Sequence, residues 1–98
     1  MTFKIKFSDK ADKQLKFLKE NPGMMKQYKA VQAAFKKLQQ NPRHPGLQTH
    51  EFHSLKGPNL EKVFEAYAEQ NTPAAFRIFF CYGPQRGMIF ILSVERHP

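Results

Sequence analysis

The spacing of apolar residues changes period twice along this chain, and that succession constrains the fold more than any single motif. Phe3, Ile5 and Phe7 alternate with Lys4 and Lys6, the period of two expected of a strand with one buried face. From Ser8 the period lengthens. Ser8 has the chemistry of a helix N-cap, and Asp9 places an anion in the first turn, where the helix dipole favours it. Ala11, Leu15 and Leu18 then recur at four and three, which predicts a helix to about Glu20, ended by Asn21-Pro22-Gly23. Tyr28, Val31, Phe35 and Leu38 form a second stripe of the same period, stopped at Asn41-Pro42. The short period then returns three times, over Val63–Glu69, Ala75–Tyr82 and Met88–Glu95. Gly83-Pro84-Gln85-Arg86-Gly87 has the composition of a hairpin turn between the last two.

Residues 41–59 hold Pro42, Pro45, Gly46, Gly57, Pro58 and three of the four histidines, and read as a loop. A loop this long in a small domain is often functional. The expected architecture is a single α+β domain over residues 1–98, in the order β-α-α-β-β-β. Its two helices cover one face of the sheet. Phe76, Ile78, Phe80 and Tyr82 share one side of their strand, and a turn over residues 83–87 adds Phe90, Leu92 and Val94. That apolar side is assigned to the helices. Arg77, Phe79, Cys81, Ile89, Ile91, Ser93, Glu95 and His97 fall on the other, which turns polar at its Arg77 end. In this register Arg77 lies opposite Ser93 and diagonal to Glu95.

The net charge of +8 is unevenly placed. Residues 1–40 hold ten lysines against Asp9, Asp12 and Glu20, so the helices carry most of the excess. A basic half on one small domain favours polyanions, because phosphates release counterions when they are neutralised. The plainer reading of such lysines is solubility. One cysteine, Cys81, excludes an internal disulfide framework and a cysteine zinc site. No apolar run approaches the roughly 20 residues of a membrane span, and the alternating N-terminus is unlike a signal peptide. A soluble intracellular protein with no membrane partner is expected.

Arg77 is the sharpest chemical feature. It interrupts Phe76-Arg77-Ile78-Phe79-Phe80, where a charged head needs an anion or water. One reading is an ion pair with Glu95 or Glu65. The other is a phosphate clamp, since a planar guanidinium can hold two phosphate oxygens. His50 and His53 have a spacing that suits a metal, but no third convergent ligand accompanies them, so no metal and no cofactor are expected. His97 alone, near the chain end, carries little weight.

Taken in order, these pieces resemble the RelE/ParE superfamily of toxin–antitoxin toxins. The resemblance rests on the opening strand, the two helices, Asn41-Pro42 with Pro45-Gly46-Leu47, and His53-Ser54-Leu55-Lys56-Gly57. It continues through the Phe76-Arg77-Ile78-Phe79-Phe80 strand to Ser93-Val94-Glu95-Arg96-His97. It implies a twisted antiparallel sheet and a cytoplasmic toxin. It also implies neutralisation by a cognate antitoxin with an acidic, amphipathic segment. The family includes ribosome-dependent mRNA interferases, which cut without metal, and inhibitors of DNA gyrase. A nontoxic RNA-binding module of the same fold is a third reading.

The interferase reading assigns roles. The ribose 2′-hydroxyl attacks the adjacent phosphate and leaves a 2′,3′-cyclic phosphate. The step needs a base, a cation for the phosphorane charge and an acid for the leaving oxygen. By resemblance Arg77 binds the phosphate, His53 is the candidate base and His97 the candidate acid. Lys56, Tyr67 and Arg96 are expected beside the RNA. Lys10, Lys13, Lys26, Lys29, Lys36 and Lys37 are expected on ribosomal RNA. Glu65 and Tyr67 stand where several relatives carry cations, and Pro98 follows His97 where some carry an aromatic.

Overall fold

The computed structural model describes residues 2–70, 72 and 74–96. Strand β1 covers Lys4–Phe7, helix α1 Asp9–Glu20 and helix α2 Met25–Gln40. Four strands follow: β2 His50–Lys56, β3 Lys62–Tyr67, β4 Phe76–Tyr82 and β5 Met88–Arg96. Ser8 caps α1 as expected, its Oγ accepting from the Ala11 N–H at 3.0 Å. Asn21 ends that helix and caps a 3-10 turn, Pro22–Met24, through Gly23 N–H at 3.1 Å. Ala11 and Leu18 of α1, with Val31, Ala34, Phe35 and Leu38 of α2, bury the two predicted stripes.

The sheet has five strands in the order β1-β5-β4-β3-β2. Two expectations are corrected here. The sheet is mixed, because β1 runs parallel to β5 while the other pairs are antiparallel. Parallel pairing follows from where β1 enters: Lys4 N–H donates to the Gly87 carbonyl at 2.9 Å and Ser8 N–H to the Ile91 carbonyl at 3.0 Å. The chain therefore follows β5 from its start before turning into α1. Second, the stretch expected as loop contains β2. It pairs with β3 through His50↔Glu65, Glu51↔Phe64 and Lys56↔Lys62, with an irregularity between Glu51 and Lys56. Such broken pairing leaves no alternation to read.

Phe76, Ile78 and Phe80 pack under the helices as predicted, and Tyr82 lies at the sheet end, against the rings of Phe3, Phe64 and Phe80. Their partners on β5 differ from expectation. Phe79 pairs with Ser93, yet Phe80 pairs with Ile91, so Leu92 is an extra residue in the ladder. Tyr82 pairs with Ile89, one residue later than a turn over residues 83–87 gives, so Ile89 and Ile91 face inward instead of Phe90 and Leu92, and the bulge returns Val94 to the inner face. The shifted turn and the bulge together set Arg77 opposite Glu95 rather than Ser93. Helix α1 satisfies the bulge. Ser8 Oγ–H donates to the Leu92 carbonyl at 2.7 Å, and Val94 N–H donates to Gln14 Oε1 at 2.8 Å.

The opposite face is closed by β2 and the turn after it. At Gly57 a Cβ would stand 2.5 Å from Glu61 Oε1, the end of a flexible side chain, and 3.3 Å from Cys81 Sγ. Gly57 N–H donates to the Glu61 carbonyl at 2.9 Å, which seats the turn over Cys81. Among the described residues no helix is long and apolar enough to cross a membrane.

Candidate functional site

Two charged residues interrupt the apolar strands on the face away from the helices, and they meet. Glu65 on β3 is buried, its side chain 2% exposed, and Arg77 Nη1 donates to its Oε2. A buried carboxylate without a partner is costly. Here it has two, because His50 Nε2 lies 2.7 Å from Glu65 Oε1. The other ring nitrogen, Nδ1, lies 2.9 Å from the Gln48 carbonyl. His50 can donate to both acceptors only with a proton on each nitrogen. Tyr67 completes the cluster. Arg77 Cζ lies 5.7 Å from its ring centre, and the His50 ring meets it edge-on at 5.8 Å.

Local structure brings His50 to this place. Gln48 turns the chain in the left-handed region, φ 48°, after a 3-10 turn over Pro45–Leu47. Thr49 Oγ1–H donates to the Pro42 carbonyl at 2.6 Å and fixes that turn. Strand β2 then begins with His50 directly opposite Glu65.

Beside this cluster lies a groove of about 340 Å³. Phe52, Phe79 and Leu55 give it an apolar lining, with the Phe52 and Phe79 rings edge-on at 5.0 Å. Arg77, Glu95, Arg96 and Ser54 supply its polar atoms. Arg77 is 12% exposed at the side chain and borders this groove. Among the described residues its fork makes one hydrogen bond, to Glu65, so further N–H groups remain for an anion. Glu95 is held by Lys10 at 3.3 Å. Aromatic rings beside guanidinium groups suit a nucleobase and its phosphate.

Apart from Arg96, which lines this groove, the other expected site residues are dispersed. His53 is 80% exposed on β2, its Nδ1 3.3 Å from Glu51 Oε2. The groove takes its neighbours Phe52 and Ser54 as walls, and His53 is not among the lining residues. His97 lies outside the described residues. Lys56 is exposed at the end of β2. The Arg96 guanidinium lies 5.4 Å from the Phe76 ring centre, with Nη2 3.3 Å from Met24 Sδ. Lys10, Lys13, Lys26, Lys29, Lys36 and Lys37 are exposed on the helices, and Lys10 reaches the border of Arg77's groove through Glu95. His50 is the residue that sequence reasoning missed, because its strand was read as loop. The one available signal was Glu65, a carboxylate in an apolar strand that demands partners.

Cys81 is no nucleophile here. Burial, with the charge of Glu61 adding to it, pushes its thiol up to about 11. Among the described residues no three His, Cys, Asp or Glu side chains converge as a metal requires.

No family model matches the sequence. A search of curated proteins likewise found no match. Solved structures do match. The YoeB dimer from Staphylococcus aureus is 17% identical, with a TM-score of 0.68 over 100% of both chains. A metal-bound toxin from Helicobacter pylori is 20% identical, with a TM-score of 0.68 over 97% of this chain and 94% of that one. RelE in its complex with RelB from Pyrococcus horikoshii is 16% identical, with a TM-score of 0.63 over 98% and 96%. The chain therefore has the fold of the RelE and YoeB toxins.

Proposed function

We propose that this chain is the toxin of a type II toxin–antitoxin pair and that it acts on RNA, as a ribosome-dependent mRNA endoribonuclease. The observation that carries this reading is Arg77, an arginine inside an apolar strand, held by Glu65 at the border of a groove with aromatic walls. A base packs against Phe52 and Phe79, and its phosphate meets Arg77. Attack of the 2′-oxygen on phosphorus breaks the bond to the 5′-oxygen and leaves a 2′,3′-cyclic phosphate. Arg77 offsets the charge that builds on the phosphorane. His53 and His97 are the residues proposed to take and return the protons. The lysines of α1 and α2 form the surface for ribosomal RNA. A cognate antitoxin with an acidic, amphipathic segment restrains the toxin.

The deciding experiment is cleavage of mRNA on programmed ribosomes, with the new 3′ ends analysed chemically. A cyclic phosphate that disappears with Arg77→Ala supports the enzyme. Gyrase-linked DNA breaks, with intact mRNA, would replace it by the gyrase reading. One observation favours RNA binding without cleavage: Glu65 already neutralises the strand cation. Tight RNA binding with no cut ends would establish that second reading.

A further inference from the structure

Glu65 binds Arg77 through one carboxylate oxygen and His50 through the other. Paired with Arg77 alone, it would cancel the charge that a phosphate clamp needs. His50 alters that count. Both partners of its ring are oxygens that accept: the Glu65 carboxylate at 2.7 Å and the Gln48 carbonyl at 2.9 Å. A neutral imidazole has one N–H, so one of these oxygens would face a nitrogen lone pair. With a proton on each nitrogen both contacts are hydrogen bonds, and Glu65, Arg77 and His50 together carry one net positive charge. With His50 neutral the three carry none. Other groups near His50 leave this count unchanged. Tyr67 of β3 packs its ring against the imidazole at 5.8 Å. Glu51, next along β2, meets His53 instead, and His44 Nδ1 accepts from the Gly46 N–H.

We infer that His50 is a positioning residue for Arg77: its imidazolium holds the second oxygen of Glu65 and leaves the cluster with the positive charge that a phosphodiester needs at the groove edge. The inference rests on the reading of Arg77 as a phosphate clamp and adds what keeps that clamp charged. His50 is not among the residues lining the groove, so it acts through Glu65. A phosphodiester on the remaining N–H groups of Arg77 favours the cluster with the extra charge. Binding to a neutral His50 therefore draws in a proton, and a protonated His50 tightens binding by the same factor. Histidine is the side chain whose charge changes near neutral pH, so affinity should fall as pH rises through that range. The His50 side chain is 48% exposed, so it exchanges protons with water, and screening keeps the effect moderate.

The test uses a thymidine dinucleotide, which has one phosphodiester of constant charge near neutral pH and no 2′-hydroxyl to be cleaved. Its binding to the full chain is followed by NMR. Affinity should fall by about fivefold between about pH 5.5 and 8.5, the scale of one added charge at a partly solvated site. His50→Gln should bind weakly at both ends of this range and lose the part of the fall that His50 causes. His50→Lys keeps its charge throughout and should hold the affinity near its acid value. In the unsubstituted protein the titration of the His50 ring protons should move to higher pH when the dinucleotide is added, which a merely structural histidine would not show. A titration left in place by the dinucleotide would overturn the inference, and that measurement needs no variant to fold. So would a pH dependence that is the same in His50→Gln, with the clamp left standing. No binding, or equal binding by Arg77→Ala, would overturn the clamp and the inference together. Cleavage is not read here, so a chain that binds RNA without cutting it can still pass.

Discussion

Glu65 on β3 and Arg77 on β4 form an ion pair whose carboxylate is nearly sealed from water while the guanidinium reaches the groove edge. The pair is diagonal, since Glu65 stands opposite Phe79 and Arg77 opposite Tyr67. This arrangement holds the arginine head at one point of the sheet. It also makes each residue depend on the other, because removing one leaves a charge in a poorly solvated place.

Glu65→Ala should lower stability by about 3–5 kcal/mol, the cost of breaking a buried pair. Urea denaturation followed by circular dichroism measures it. The double replacement Glu65→Leu with Arg77→Met should recover most of the loss. A double variant as unstable as Glu65→Ala would show that the pair is not the source.

Arg77→Lys keeps the charge and loses the planar fork. Cleavage on programmed ribosomes should fall by roughly 10²–10³, the usual effect of removing one preorganised donor from a developing charge. A single-turnover rate near that of the unsubstituted protein would leave Arg77 a structural partner of Glu65 alone.

The two histidines of β2 should part company. His53 is largely exposed, so His53→Ala should change stability by no more than about 0.5 kcal/mol. If His53 takes the 2′-hydroxyl proton, cleavage falls by roughly 10²–10⁴. His50→Ala removes a partner from buried Glu65 and should cost about 1–3 kcal/mol. Melting curves and cleavage rates on the two variants separate the roles.

Replacing Lys10, Lys13 and Lys36 by Gln should weaken ribosome binding and flatten its salt dependence, by roughly two to three in the log–log slope. All three are exposed, so folding should change little. Sedimentation with ribosomes across a salt series gives the slope. An unaltered slope would assign these lysines to solubility.

Cys81 gives an alkaline limit to stability. Its thiol is raised from 9.0 to about 11 in the fold, chiefly by burial. Between those values the unfolded chain has lost the proton and the folded chain has kept it. Stability should therefore fall as pH rises through that window. Cys81→Ala should lose this part of the decline in urea midpoints, and an unchanged decline would exclude the thiol as its cause.

Both helices and four of the five strands were legible because their signals are local. Ser8 caps, Ala11 and Leu18 repeat at helical spacing, and Phe76, Ile78 and Phe80 alternate. What escaped depends on distant partners. Strand β2 keeps pairing only near its ends and has few apolar residues, so nothing in residues 50–56 announces it. The turn sets Tyr82 opposite Ile89 rather than Met88, and the Leu92 bulge, whose carbonyl is met by Ser8, 84 positions away, returns Val94 to its expected face. Arg77 was conspicuous by itself, and Glu65 was a foreseeable partner. His50 became visible only once β2 lay beside β3.

The parallel pairing of β1 with β5 also governs the order in which the chain acquires its shape. Lys4 pairs with Met88 and Phe7 with Ile91, so the first strand made has no neighbour until the last is present. Closing a loop of that length carries an entropic cost before any contact offsets it. Helix α1 waits as well, because its Ser8 and Gln14 bonds end on β5. A nascent chain that stops before β5 has β1 unpaired and α1 without its sheet, so the folded protein arises after synthesis has passed β5 and not piecemeal during it.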